Sequence, residues 1–229
     1  RIVKDWQLGA SGLTAVWASE NTREAIFDAM SRKEVYGTTG PRITARIFGG
    51  WDFTAKDAHA PDLGRVGYTK GVPMGGDLPA APDGAQAPSF IVAALKDPVS
   101  GNLDRIQIVK GWLDGAGNPQ EKVFDVAWSG DREPGSDGKL PSVGSTVDLD
   151  TPSWTNSIGA AELATVWTDP EFDSGQRAFY YARIIEIPTP RWTAYDAAFF
   201  KDAQFPPDTT MTVTERAWTS PIWYEPGEG

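Results

Sequence analysis

Residues 105–128 decide the fold: an apolar-rich run from Arg105 to Leu113, the turn Asp114-Gly115-Ala116-Gly117-Asn118, then a second run from Lys122 to Trp128. Two glycines between Asp and Asn supply the backbone freedom and the side-chain acceptors of a tight reversal, so the two runs pair antiparallel. The same grammar extends outward in both directions. Further strands are expected at Ser89 to Leu95, Ser145 to Leu149, Glu162 to Thr168, Ala178 to Ile187, Thr210 to Thr214 and Pro221 to Tyr224. Asp97-Pro98, Gly101-Asn102, Asp137-Gly138 and Asp169-Pro170 separate them. About eight short strands so spaced indicate a mainly β chain, with an immunoglobulin-like antiparallel sandwich over residues 87–229. Tyr180 and Tyr181, after Asp173-Ser174-Gly175, stand loosely where such sandwiches place a tyrosine corner. A short helix is expected from Tyr195 to Lys201.

Residues 11–48 read as strand, helix, strand. Leu13 to Ala18 is a short apolar run, and Asn21 followed by Glu24 forms a capping box for a helix from Thr22 to about Lys33. Ile26, Ala29, Met30 and Lys33 share one stripe, while Arg32 and Lys33 suit the negative end of the helix dipole. Ile43, Ala45 and Ile47 then alternate with Arg42, Thr44 and Arg46, the period of a half-buried strand. Residues 49–86 are rich in Gly, Pro and Ala without periodicity and read as a long connecting loop.

Composition narrows the chemistry. The chain has 229 residues, 31 acidic against 21 basic, no Cys, ten Trp and a single His, His59. Thiolate catalysis, disulfides and Cys-ligated metals are excluded, as is any site that needs two imidazoles. A formal charge of −10 disfavours nucleic acid and anionic membrane, which both select clustered Lys and Arg, and suits a periplasmic or secreted setting. No apolar run approaches the roughly 20 residues of a membrane span. The start, Arg1-Ile2-Val3-Lys4-Asp5-Trp6, lacks the pattern of a signal peptide and reads as the interior of a longer chain.

Few motifs carry chemistry. His59 stands among Asp52, Asp57 and Asp62 but lacks the partners of a zinc site. Gly9-Ala10-Ser11-Gly12 falls short of the nucleophile elbow, and Gly71 to Asp77 has no Lys to reach a phosphate. Ser129 to Gly138 is acidic without the twelve-residue calcium pattern. Tyr36-Gly37-Thr38-Thr39-Gly40-Pro41-Arg42 is more informative. Its glycines let N–H groups converge, Thr38 and Thr39 can donate, and Arg42 can grip a carboxylate or phosphate bidentately. The same string also reads as a strand-end turn with Arg42 paired to a neighbouring acid. Among the tryptophans, Trp128, Trp167 and Trp223 lie in strand patterns and are expected in the core, whereas Trp51, Trp154 and Trp192 are flanked by loop residues and are expected to be exposed.

Several strings together resemble a known bacterial family. They are Gly9 to Ala18, Glu20 to Ala29, Tyr36 to Ile43, Gly111-Trp112-Leu113-Asp114, Val126 to Gly130, Phe179 to Arg183, Pro188 to Trp192 and Thr219 to Tyr224. The set is similar to the C-terminal part of a family of unknown function allied to the PHP (polymerase and histidinol phosphatase) metal-dependent hydrolases. The resemblance implies that residues 1–48 are the terminal strand-helix-strand unit of a PHP-like β/α barrel, joined through 49–86 to the sandwich. It implies a parent with phosphoesterase-like activity using divalent zinc or manganese and an upstream barrel of the same polypeptide as partner; a homo-oligomer is a separate expectation. No metal ligand carries over, because Asp57-Ala58-His59 imitates an Asp-x-His motif only after the helix. This chain is therefore expected to hold no cofactor and to be inactive alone. Thr38, Thr39 and Arg42, with Arg23 more distant, are the residues expected to orient an anionic substrate. The alternative class is a carbohydrate-binding or structural, oligomerising sandwich.

Overall fold

The computed structural model describes residues 12–82, 84, 86–202 and 204–226; Gly9, Ala10 and Ser11 of the elbow-like string lie outside them. The chain is mainly β, and every pair of neighbouring strands in its sheets runs antiparallel. β1 (Leu13–Val16), α1 (Arg23–Ser31), β2 (Val35–Thr38) and β3 (Thr44–Gly50) come first. A 3-10 turn (Asp57–His59), α2 (Leu63–Lys70) and β4 (Gly71–Pro73) follow. Next are β5 (Ser89–Leu95), β6 (Leu103–Leu113), β7 (Pro119–Trp128), β8 (Glu162–Thr168) and β9 (Ala178–Glu186). The chain then forms β10 (Thr189–Pro190), α3 (Trp192–Phe199), β11 (Thr212–Val213), β12 (Arg216–Thr219) and β13 (Ile222–Tyr224).

The hairpin of β6 and β7 forms as its turn dictates, Asp114 accepting from the N–H groups of Ala116 and Asn118 at 2.9 Å each. It closes one side of a seven-stranded sheet in the order β1-β2-β12-β9-β6-β7, with β13 continuing along β9 beyond β12. A second sheet runs β4-β3-β5-β8, and β10 pairs with β11 alone. Residues of β9 alternate strictly between buried and half-buried, so Tyr180, Ala182 and Ile184 face inward. From the smaller sheet Ala45, Ile47, Phe90, Val92 and Ala94 join the same apolar cluster. Phe90 and Tyr180 meet across the layers with ring centroids 4.6 Å apart. Apolar faces on both sheets leave water only by covering each other, which is what fixes the two-layer arrangement.

Several expectations are revised. β1 and β2 pair antiparallel at the edge of the large sheet, and β3 pairs with β5 in the small one. A β/α barrel pairs its strands in parallel, so the barrel arrangement is not what this unit displays. Within residues 49–86 the chain forms α2, whose Leu63 and Val66 pack on Phe48, Phe53 and Ile91. Two apolar anchors in eight residues are too few for a periodic signal, and the sheet beneath supplies the drive. Ser145 to Leu149 forms no strand; only Asp148 bridges to Ser153. Conversely, β12 arises from Arg216–Thr219, where the polar and apolar residues gave no clear alternation. α1 is capped by Thr22, whose hydroxyl accepts from Ala25 N–H at 3.3 Å, rather than by Asn21. No helix among the described residues is long and apolar enough to cross a membrane.

Candidate functional site

Thr38 and Thr39 lie where β2 leaves the large sheet. Thr39 meets the start of β12 through its own N–H to the Arg216 carbonyl at 3.0 Å, and its hydroxyl accepts from Arg216 N–H at 2.9 Å. The same hydroxyl donates to the Glu215 carboxylate. Opposite, Arg191 and Trp192 are presented where β10 runs into α3, and the Arg191 N–H to the Met211 carbonyl, 2.9 Å, ties that corner to the segment entering β11. The Arg191 guanidinium sits 5.2 Å from the Trp192 ring centroid. A cavity of about 520 Å³ opens between these groups, lined by Thr38, Thr39, Glu215, Arg191 and Trp192. Trp192 is 38% exposed there.

Behind the cavity wall lies a buried acid. Glu186 ends β9 on its inward phase and is fully buried; its N–H donates to the Glu215 carbonyl at 2.9 Å. Ser100 Oγ donates to Glu186 Oε2 at 2.6 Å, while Oε1 is buried without a hydrogen-bond partner. Burial pushes the Glu186 carboxyl up to about 7; the Ser100 hydrogen bond opposes this, and the charges of Glu215 and Asp97 add to it. Asp97 is drawn the other way. The N–H of Val99 holds its carboxylate below the ordinary range, and the N–H of Arg42, 2.6 Å away, helps.

The four residues expected to orient an anion are thus divided. Thr38 and Thr39 share the cavity. Arg42 lends its backbone N–H to Asp97 while its side chain is exposed, the arrangement of a strand-end turn beside an acid. Arg23 is exposed on α1, beside Phe27 and Met30 in a separate surface pocket. Glu215 and Glu186 were not singled out by sequence. Glu186 could have been found, since it continues the inward phase of Tyr180, Ala182 and Ile184.

The tryptophans sort partly as expected. Trp167 packs on the core, and Trp192 is exposed. Trp223, expected inside, is 41% exposed, because Ile222 and Tyr224 take the inward positions of β13. Trp51, expected outside, is half-buried and packs edge-on against Phe172 and Tyr224, with its Nε1–H donating to the Pro79 carbonyl at 3.1 Å. Trp154 is also half-buried.

Chemically the cavity offers hydroxyls, one carboxylate, one guanidinium and an indole face. Thr39 and Glu215 present a hydrogen-bonded hydroxyl and carboxylate to the cavity. Among the described residues no group of three or more His, Cys, Asp or Glu side chains can hold a metal ion, and His59 is exposed on its 3-10 turn. A family model described as "Protein of unknown function (DUF3604)" matches residues 1–226. No curated protein and no solved structure matches the chain.

Proposed function

The chain belongs to the DUF3604 family, whose function is unknown, and from that premise we propose that it is the non-catalytic, immunoglobulin-like C-terminal portion of a PHP-type metal-dependent hydrolase. The chemistry, on zinc or manganese, belongs to a barrel upstream in the same polypeptide. The observation that carries this reading is the aromatic patch on the outer face of the large sheet, over which the described residues lay no second sheet. Phe179 and Tyr181 stack there with rings 13° from parallel, Trp223 lies 5.2 Å from Phe179, and Leu113 and Val123 are exposed nearby. Two sheet faces each need a cover; the inner one has the smaller sheet, and the outer one suits a second domain. Among the described residues no cluster fits a metal, so no step of the reaction is placed on them.

The test compares this chain with the longer polypeptide in hydrolysis of p-nitrophenyl phosphate with added manganese or zinc. Activity is expected only in the longer protein, and Tyr181→Glu there is expected to lower its activity or speed its proteolysis. Hydrolysis by the 229-residue chain at a rate near that of the longer protein overturns the reading.

A second reading rests on Trp192. A half-exposed indole beside Thr39, Glu215 and Arg191 matches the needs of a polyhydroxylated ring, which stacks its C–H face and shares its hydroxyls. Fluorescence titration with mono- and oligosaccharides, abolished in Trp192→Ala, supports it; no response from the unsubstituted chain removes it.

A further inference from the structure

We propose that the outer face of the smaller sheet carries a binding site for a small oxyanion, a carboxylate or phosphate group, gripped by Arg46. Arg46 projects from the middle of β3 into a cavity of about 550 Å³ between that face and the first turn of α2. Its guanidinium carbon stands 4.0 Å from the Trp17 ring centroid and 5.2 and 5.4 Å from those of Phe48 and Tyr68. Three aromatic rings fix the plane of the fork and withhold solvent from it, and they supply no counter-charge.

No carboxylate within ion-pair reach answers this charge among the described residues. Among the described residues the Arg46 side chain donates from Nη2 to the Tyr68 hydroxyl at 3.2 Å, and its Nε is buried without a partner there. The nearby Glu34 carboxylate is already engaged: it accepts from the Tyr68 hydroxyl and faces Arg32 at 3.5 Å. Two acids border the cavity. Asp62 is turned to its own helix, accepting from the Arg65 N–H at 2.9 Å, and Glu162 is exposed on the edge strand β8. A partly desolvated guanidinium that lines a cavity and has no carboxylate opposite it is completed by an oxyanion accepting from its cavity-side N–H groups. The −10 formal charge opposes this only weakly, since salt screens charges beyond about 8 Å while the contact itself is local.

Gly64 lies against the fork. A Cβ there would stand 2.9 Å from Arg46 Nη1, so a side chain at residue 64 would push on the end of the guanidinium. His59 lines the same cavity and supplies a second donor.

The experiment is a titration of the chain with sodium phosphate and, separately, sodium acetate, against a chloride background, followed by amide and indole NMR signals. Saturable shifts centred on Gly64 and Trp17 are expected. Saturation by phosphate alone identifies a tetrahedral phosphate group as the ligand, and saturation by acetate identifies a carboxylate; both support the site. Arg46→Gln is expected to weaken binding at least about tenfold, the loss of a charge-assisted fork, with the near-UV spectrum unchanged. If Arg46→Gln does not fold, Gly64→Ala takes its place: it keeps the charge, displaces the fork, and is expected to weaken binding several-fold. The proposal fails if neither anion saturates the shifts, if the shifts centre on Thr39 and Trp192 instead, or if the folded variant binds as tightly as the unsubstituted chain.

Discussion

Lys110 Nζ lies 2.6 Å from Asp169 Oδ2, and both side chains are buried. The pair is fully served: Lys110 also donates to the Glu171 carbonyl at 2.7 Å, and the Tyr180 hydroxyl donates to Asp169 Oδ2 at 2.8 Å. Burial, and next the Asp169 charge, hold the Tyr180 phenol far above its ordinary range, so it stays a donor at any working pH. The bond ties the inner face of β6 to the turn after β8, and so one sheet to the other.

Removing one partner of this pair is expected to be severe. Lys110→Met strands a buried carboxylate and is expected to cost about 3–5 kcal/mol in urea unfolding, while Lys110→Met with Asp169→Leu is expected to recover much of it. A single-variant loss below about 1 kcal/mol would mean that water reaches the pair and screens it.

Glu186 gives the chain a pH-dependent stability. Its native carboxyl titrates near 7 against an ordinary value of 4.5, so the native state holds the proton more tightly. Its contribution is full below about pH 4.5 and is lost as pH rises through 7, by roughly 3 kcal/mol. Asp57, Asp97, Asp114 and Asp148, all held low, act below this window. Melting temperatures from pH 4.5 to 8 are expected to fall less in Glu186→Gln than in the unsubstituted chain; parallel curves would show that Glu186 is hydrated and ordinary.

Gly111 lies beneath the Phe179 ring, and a Cβ there would come within 2.2 Å of Phe179 Cζ. Gly111→Ala is expected to cost about 1–3 kcal/mol by overpacking and to lift Phe179 away from Trp223. Denaturation and tryptophan emission read the two effects. A neutral substitution would show that the ring does not lie flat on the strand.

The cap of α1 separates two readings of one segment. Thr22→Ala is expected to lower stability by about 1 kcal/mol, and Asn21→Ala to leave it nearly unchanged, because the Thr22 hydroxyl makes the bond to Ala25 N–H. Equal losses would place both side chains in the cap.

Much of this architecture was legible in residue order. The turn at Asp114 to Asn118 specifies an antiparallel hairpin, and the apolar run from Ala178 to Ile187 a strand, without reference to anything distant. Thr38 and Thr39 were singled out for their hydroxyls and do line a cavity, but their neighbours were not readable. Glu215 lies 176 residues from Thr39 in sequence, and no local pattern links them.

What the amino-acid order alone determined is therefore local: most of the strands, the tight turns between them, the lack of thiol and paired-imidazole chemistry, and the acidic balance. Tertiary structure decided the rest. It placed β1 and β2 in the large sheet and β3 in the small one, made a helix of Leu63–Lys70 by offering Phe48 and Ile91 as a bed, turned Trp223 outward, and buried Glu186 behind Glu215. The physical reason is one of range. Backbone preference and period-two patterning act within a few residues, whereas burial, counter-charges and the edge a strand will pair with come from parts of the chain that only the packed sheets bring together.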